Sequence, residues 1–105
     1  MQITRSISGD NYELMVPGRI DGPGANALEL EVLGAIKAGA KGIYINLSQA
    51  EWMCSAAIRV LLQYYRQMKN SGKVLLVTRP SASIEQILDM TGFKDLIVES
   101  TKARV

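Results

Sequence analysis

No histidine occurs in the 105 residues, and Cys54 is the lone cysteine. The first absence removes the side chain most often used as a general base near neutral pH, and with it any Ser-His-Asp or Cys-His arrangement. The second leaves no intramolecular disulfide and no ligand set for structural zinc or an iron-sulfur cluster. Scattered carboxylates leave only weak magnesium or calcium binding open, so neither a metal nor a cofactor is expected. Long apolar runs are missing too. Val74-Leu75-Leu76-Val77 is bounded by Lys73 and by Thr78-Arg79, far short of the roughly 20 residues that span a bilayer. The opening Met1-Gln2-Ile3-Thr4-Arg5-Ser6 has neither an apolar signal core nor a small-residue cleavage site. A reducing cytoplasm without membrane insertion is the expected location.

An excess of charge of one sign is also lacking. Twelve basic residues against ten acidic leave a net +2, too near balance for the dense cationic footprint of phosphate-backbone binding, so nucleic acid is not an expected partner. Gly22-Pro23-Gly24 has neither the spacing nor the lysine of a phosphate loop and reads as a turn. A small enzyme would have only Ser55, Cys54, Asp21 and the tyrosines to work with, and a non-enzymatic protein is expected.

What is present is apolar patterning. At 48% hydrophobic composition, the chain suits one core and one domain over residues 1–105. Residues 2–8 and 12–16 read as strands of a hairpin around Gly9-Asp10-Asn11. After the Gly22-Pro23-Gly24 breaker, Ala25, Leu28, Val32 and Ile36 recur at helical spacing until Gly39. Residues 42–47, almost wholly apolar and β-branched, predict a central strand covered on both faces.

From Ser55 a second helix sets Ile58, Leu61, Leu62, Tyr65 and Met68 on one stripe, against Arg59, Gln63, Arg66 and Asn70, and ends at Ser71-Gly72. Residues 73–78 predict another buried strand. Ile84, Ile87 and Leu88 mark a third helix, with Ser81 or Ser83 as its N-cap and Gly92 as a left-handed C-cap. Residues 95–98 predict a last strand. The order β-β-α-β-α-β-α-β implies an α/β fold: a mixed, mostly parallel sheet with helices mainly on one face.

Three segments, in this order, resemble the STAS family. Gly18-Arg19-Ile20-Asp21 is similar to its glycine-x-aliphatic-aspartate strand end. Asn46-Leu47-Ser48 followed by Cys54-Ser55-Ala56-Ala57 stands where the family commonly has Asp-Leu-Ser and then Asp-Ser-Ser-Gly at a helix start. Ile84, Leu88 and Thr91-Gly92-Phe93 match its third helix. The chain departs from the pattern at Asn46, Cys54, Ala56 and Ala57.

The resemblance implies an anti-sigma factor antagonist, a bacterial regulatory protein that binds an anti-sigma factor with serine-kinase activity. Phosphorylation of the first serine of the motif, here Ser55, would end that binding. Its partner surface would comprise Asp21, Trp52, Met53, Cys54, Ser55, Ala56, Ala57 and Arg59. The alternative is a constitutive STAS subunit of a larger cytoplasmic assembly, such as an accessory of a lipid or anion transporter.

Several of these residues carry a plainer reading as well. Ser55 suits a helix cap. Cys54, before a helix N-terminus, suits either a reactive thiol or a small buried hydrophobe. Trp52 and Met53 suit an interface anchor or core packing, and Arg59 and Arg66 a docking patch or a solvated face.

Overall fold

A computed structural model of the chain describes residues 2–94. The predicted strand at 95–98 lies outside the described residues. Strands β1 (Thr4–Ser8) and β2 (Asn11–Met15) pair antiparallel across Gly9-Asp10, so that Ser8 faces Asn11. A second ladder sets β2 parallel to β4 (Gly42–Asn46), and β4 pairs parallel with β6 (Val74–Thr78), giving the order β1-β2-β4-β6.

Two short strands the sequence did not separate, β3 (Gly18–Ile20) and β5 (Ala50–Met53), form their own parallel pair. Helix α1 (Gly22–Lys37) follows β3, α2 (Ser55–Asn70) follows β5, and α3 (Ala82–Thr91) follows β6. The predicted α/β class and its mostly parallel mixed sheet are those of the molecule.

Alternation along the strands explains the layering. Leu14, Ile43, Ile45, Leu75 and Val77 point to one face of the main sheet and are essentially fully buried, together with Leu28 and Val32 of α1, Leu61 and Met68 of α2, and Ile84 and Leu88 of α3. The opposite face carries Ser6, Glu13, Tyr44 and Leu76, and among the described residues no helix lies upon it; Ser6 and Glu13 are exposed, Tyr44 and Leu76 half-buried. Strand β4 is therefore central but helix-covered on one side only. Its apolar run misleads because Tyr44 shields the open side itself.

Two local expectations need correction. Gly22-Pro23-Gly24 is the first turn of α1, not a turn before it. Proline is tolerated there because first-turn N–H groups have no intrahelical acceptor, and Asp21 caps the helix by accepting from the Gly24 N–H at 2.9 Å. Tyr64, not Tyr65, lies on the buried stripe of α2, in line with Ala57, Leu61 and Met68. Tyr65 is half-buried at the flank beneath the Lys69 ammonium, 5.8 Å from its ring centre.

Of the two serines proposed to cap α3, Ser81 does so, accepting from the Ile84 N–H at 3.2 Å. Gly92 closes the helix at φ 78°, the left-handed geometry that glycine adopts without steric cost.

Candidate protein-binding site

The β3–β5 pair places two helix N-termini side by side. Arg19 aligns with Trp52 and Ile20 with Met53. The Cys54 N–H then donates to the Ile20 carbonyl at 2.9 Å, and Gly18 N–H to the Gln49 carbonyl at 2.9 Å. One step beyond the ladder the chain enters α1 through Asp21, and on the neighbouring strand it enters α2 through Cys54.

Strand alternation sorts the residues between core and surface. Ile20 and Met53 point inward and are buried. Arg19 and Trp52 point the other way, with the guanidinium 4.5 Å from the indole centroid, within range of a cation–π interaction. Trp52 is half-buried and Arg19 exposed, so an apolar ring and a cation share one outward patch. Beside them an open cleft of about 430 Å³ is bordered by Pro17, Arg19, Asp21 and Pro23.

Ser55 is the first residue of α2, and its side chain is exposed. The residue in the cap position is Cys54, with extended backbone (φ −81°, ψ 168°) and no side-chain cap bond. Capping by Ser55, the plainer reading of that residue, is therefore not what the structure shows. The first turn of α2 also holds no acidic residue. Helix α1 has the Asp21 carboxylate at its cap, and α3 has Ser81 and Glu85. Among the described helices, α2 alone begins without an acceptor side chain for its orphan amides or an anion for its dipole. Arg59, one turn on, is exposed on the same face as Ser55.

Of the predicted partner-contacting residues, the structure brings Asp21, Trp52, Cys54, Ser55, Ala56 and Arg59 to this end of the molecule, each exposed or half-buried. Met53 and Ala57 are corrections: they are 2% and 0% exposed and belong to the core. Met53 is the inward residue of a strand. Ala57 faces the sheet, where its methyl group fills space a glycine would leave empty. Cys54 and Ala56 are half-buried and pack against the core.

Asn46 is buried, and its Oδ1 accepts from the Ser48 N–H at 3.0 Å, fixing the turn into β5. A turn-forming amide is therefore what stands at the position of the family's usual aspartate. Arg19 was missed as a site residue, although the alternation of Gly18-Arg19-Ile20 already turns it outward.

Helices on one face of a mixed sheet, with a short parallel ribbon presenting two helix N-termini, place the chain among small single-domain α/β folds. Residues 2–105 match the model of the STAS domain, and the chain belongs to the STAS family. It is 30% identical over 87 residues to an anti-sigma-B factor antagonist of Staphylococcus aureus, covering 82% of this chain and 80% of that one.

Solved structures share the fold. A putative anti-sigma factor antagonist of Thermotoga maritima superposes at a TM-score of 0.83, with 18% identity and coverage of 97% of this chain and 90% of that one. SpoIIAA, an anti-sigma factor antagonist of Bacillus, superposes at 0.81 in its unphosphorylated form, with 15% identity over 98% of this chain and 91% of that one. Its phosphorylated form superposes at 0.74, with 15% identity over 98% and 95%. Among the described residues no helix is long and apolar enough to cross a membrane.

Proposed function

We propose that this protein is a non-enzymatic partner-switching antagonist of the bacterial cytoplasm. Its unphosphorylated form binds an anti-sigma factor with serine-kinase activity, and phosphate on Ser55 ends the complex. The observation that carries this is the exposed hydroxyl of Ser55 at the start of α2, the helix whose N-terminus lacks a compensating side chain. A phosphoryl group there brings about two negative charges. It meets free backbone amides and the positive end of the helix dipole, so the fold accommodates the modification while the contact surface changes sign.

Around Ser55, the Arg19–Trp52 patch supplies two residue types enriched at interface hot spots, with the Asp21 carboxylate beside them as a polar rim. The relatives named as anti-sigma factor antagonists support the partner class. Capture from the native cell followed by intact-mass analysis tests it. A serine kinase should co-purify, and added ATP should transfer one phosphoryl group to the wild type and none to Ser55→Ala.

Ser55→Asp should release the partner while raising the stability of the free protein slightly, by about 0.3–1 kcal/mol, as an anion at a helix N-terminus does. Unchanged mass with active kinase, or full binding by Ser55→Asp, would defeat the proposal.

A further inference from the structure

The three described helices all lie on the first face of the main sheet, and partner switching makes no use of the polar groups gathered on the other. Register puts Ser6, Glu13, Tyr44 and Leu76 in one cross-strand row, with Thr78 two residues further along β6. Over them lies an open depression of about 430 Å³ whose lining includes Ser6, Glu13, Tyr44, Thr78 and Arg79.

Three features of this depression do nothing for the fold. Thr78 is only 8% exposed, and its buried Oγ1 has no hydrogen-bond partner, a state native structures avoid unless something else supplies the partner. Arg79 holds φ 47° and is the one non-glycine among the described residues at positive φ. Such strain persists only where surrounding structure enforces it, and it concentrates at ligand clamps. Glu13 and Arg79 are both exposed, and neither joins an ion pair. The floor is shaped by Gly42. A Cβ there would stand 2.6 Å from Asn11 Oδ1 and 2.8 Å from Tyr44 Cε2, so its absence lets the tyrosine ring lie down on the sheet.

These groups select a ligand by charge and length. Glu13 and Thr78 are two strands apart and offset by two residues, about 12 Å between Cα positions by strand geometry. The opposite charges of a single α-amino acid are too close together to meet both ends. An extended tripeptide, at roughly 10 Å, reaches both once the side chains lean inward.

We propose that the open sheet face binds short zwitterionic peptides of about this length. The peptide carboxylate accepts from the Arg79 guanidinium, its ammonium donates to the Glu13 carboxylate and the Ser6 hydroxyl, and its middle residue rests on the Tyr44 ring.

Titration of isotope-labelled protein with trialanine, followed by amide NMR shifts, tests the site. Saturable shifts centred on Glu13, Tyr44, Thr78 and Arg79 are expected. N-acetylated and C-amidated trialanine should each bind about tenfold more weakly, the loss of one charged contact. Glu13→Gln and Arg79→Gln should show the same loss. Thr78→Val should leave binding unchanged and raise the thermal midpoint of the free protein, because it deletes an unpaired buried hydroxyl. Absence of shifts at millimolar trialanine, shifts centred on the helix face, or equal binding of the blocked peptides would overturn the proposal.

Discussion

Tyr64 on α2 donates its phenolic hydrogen to Glu29 Oε2 on α1 at 2.6 Å, joining two helices whose residues lie 35 apart in sequence. The hydrogen bond, then burial, then the charge of Glu29 push the phenol up from 10.0 to about 12. Only the protonated phenol can donate, so the bond is intact below the unfolded value and is lost as pH rises through the folded one. In that window the native state keeps a proton that the unfolded chain releases, and stability falls with rising pH. Urea midpoints measured between pH 10 and about 12 should therefore drop. Tyr64→Phe should flatten that drop and cost about 1 kcal/mol at neutral pH. An identical alkaline slope in the variant would contradict the assignment.

Asp21 serves two ends that different substitutions separate. Asp21→Ala should lose the bond to the Gly24 N–H and about 1 kcal/mol of stability. Asp21→Asn keeps an accepting oxygen at the cap and should stay within a few tenths of a kcal/mol of the wild type. If the carboxylate also meets the partner, both variants should weaken the complex. Chemical denaturation and partner titration of the pair read the two roles independently.

Ser81 and Ser83 look equivalent in sequence and are not equivalent in the structure. The Ser81 hydroxyl donates to the Ala50 carbonyl at 2.6 Å while accepting from the Ile84 N–H at 3.2 Å. Ser81→Ala leaves both groups wanting and should cost about 1–2 kcal/mol. Ser83 is exposed inside the first turn, and Ser83→Ala should be nearly neutral. Amide exchange at β5 should accelerate in the first variant and not in the second.

Ala57 stands where the family commonly has glycine, and it is 0% exposed. Ala57→Gly should destabilise the protein by about 1 kcal/mol through helix propensity, with a further loss of methyl packing. Because the side chain does not reach the surface, partner affinity should change little once both variants are fully folded. A large affinity gain in Ala57→Gly would show that backbone approach at this point governs recognition.

Periodicity located the strands ending in Asn46 and Thr78 and the helices, because each buries an apolar stripe or alternation, while the hairpin was legible from its Gly9-Asp10-Asn11 turn although β1 is exposed throughout. Its misses have physical causes. Tyr64 and Tyr65 are equally apolar neighbours, three and four residues after Leu61, and the helix phase that buries Ala57, Leu61 and Met68 turns Tyr64 inward, where its hydroxyl meets Glu29. Gly22-Pro23-Gly24 reads as a breaker because proline and glycine disfavour helix interiors, yet a first turn is spared that rule.

The β3–β5 ribbon was legible only as motif fragments, since strands of three and four residues are too short to show a period. At the candidate site the exposure of Ser55 followed from its place at a helix start. The burial of Met53 and Ala57 depended on which way a short strand and a first helical turn face the core.

Backbone atoms, not side chains, hold Asp21 and Ser55 at neighbouring positions: the ladder from Gly18 to Met53 and the Cys54-to-Ile20 bond do so. Geometry secured in this way does not depend on the exposed side chains at positions 19 and 55. The surface chemistry there is free to diverge while its scaffold stays put, so one architecture can acquire new acquaintances by exchanging a few outward atoms and without redrawing the chain's path.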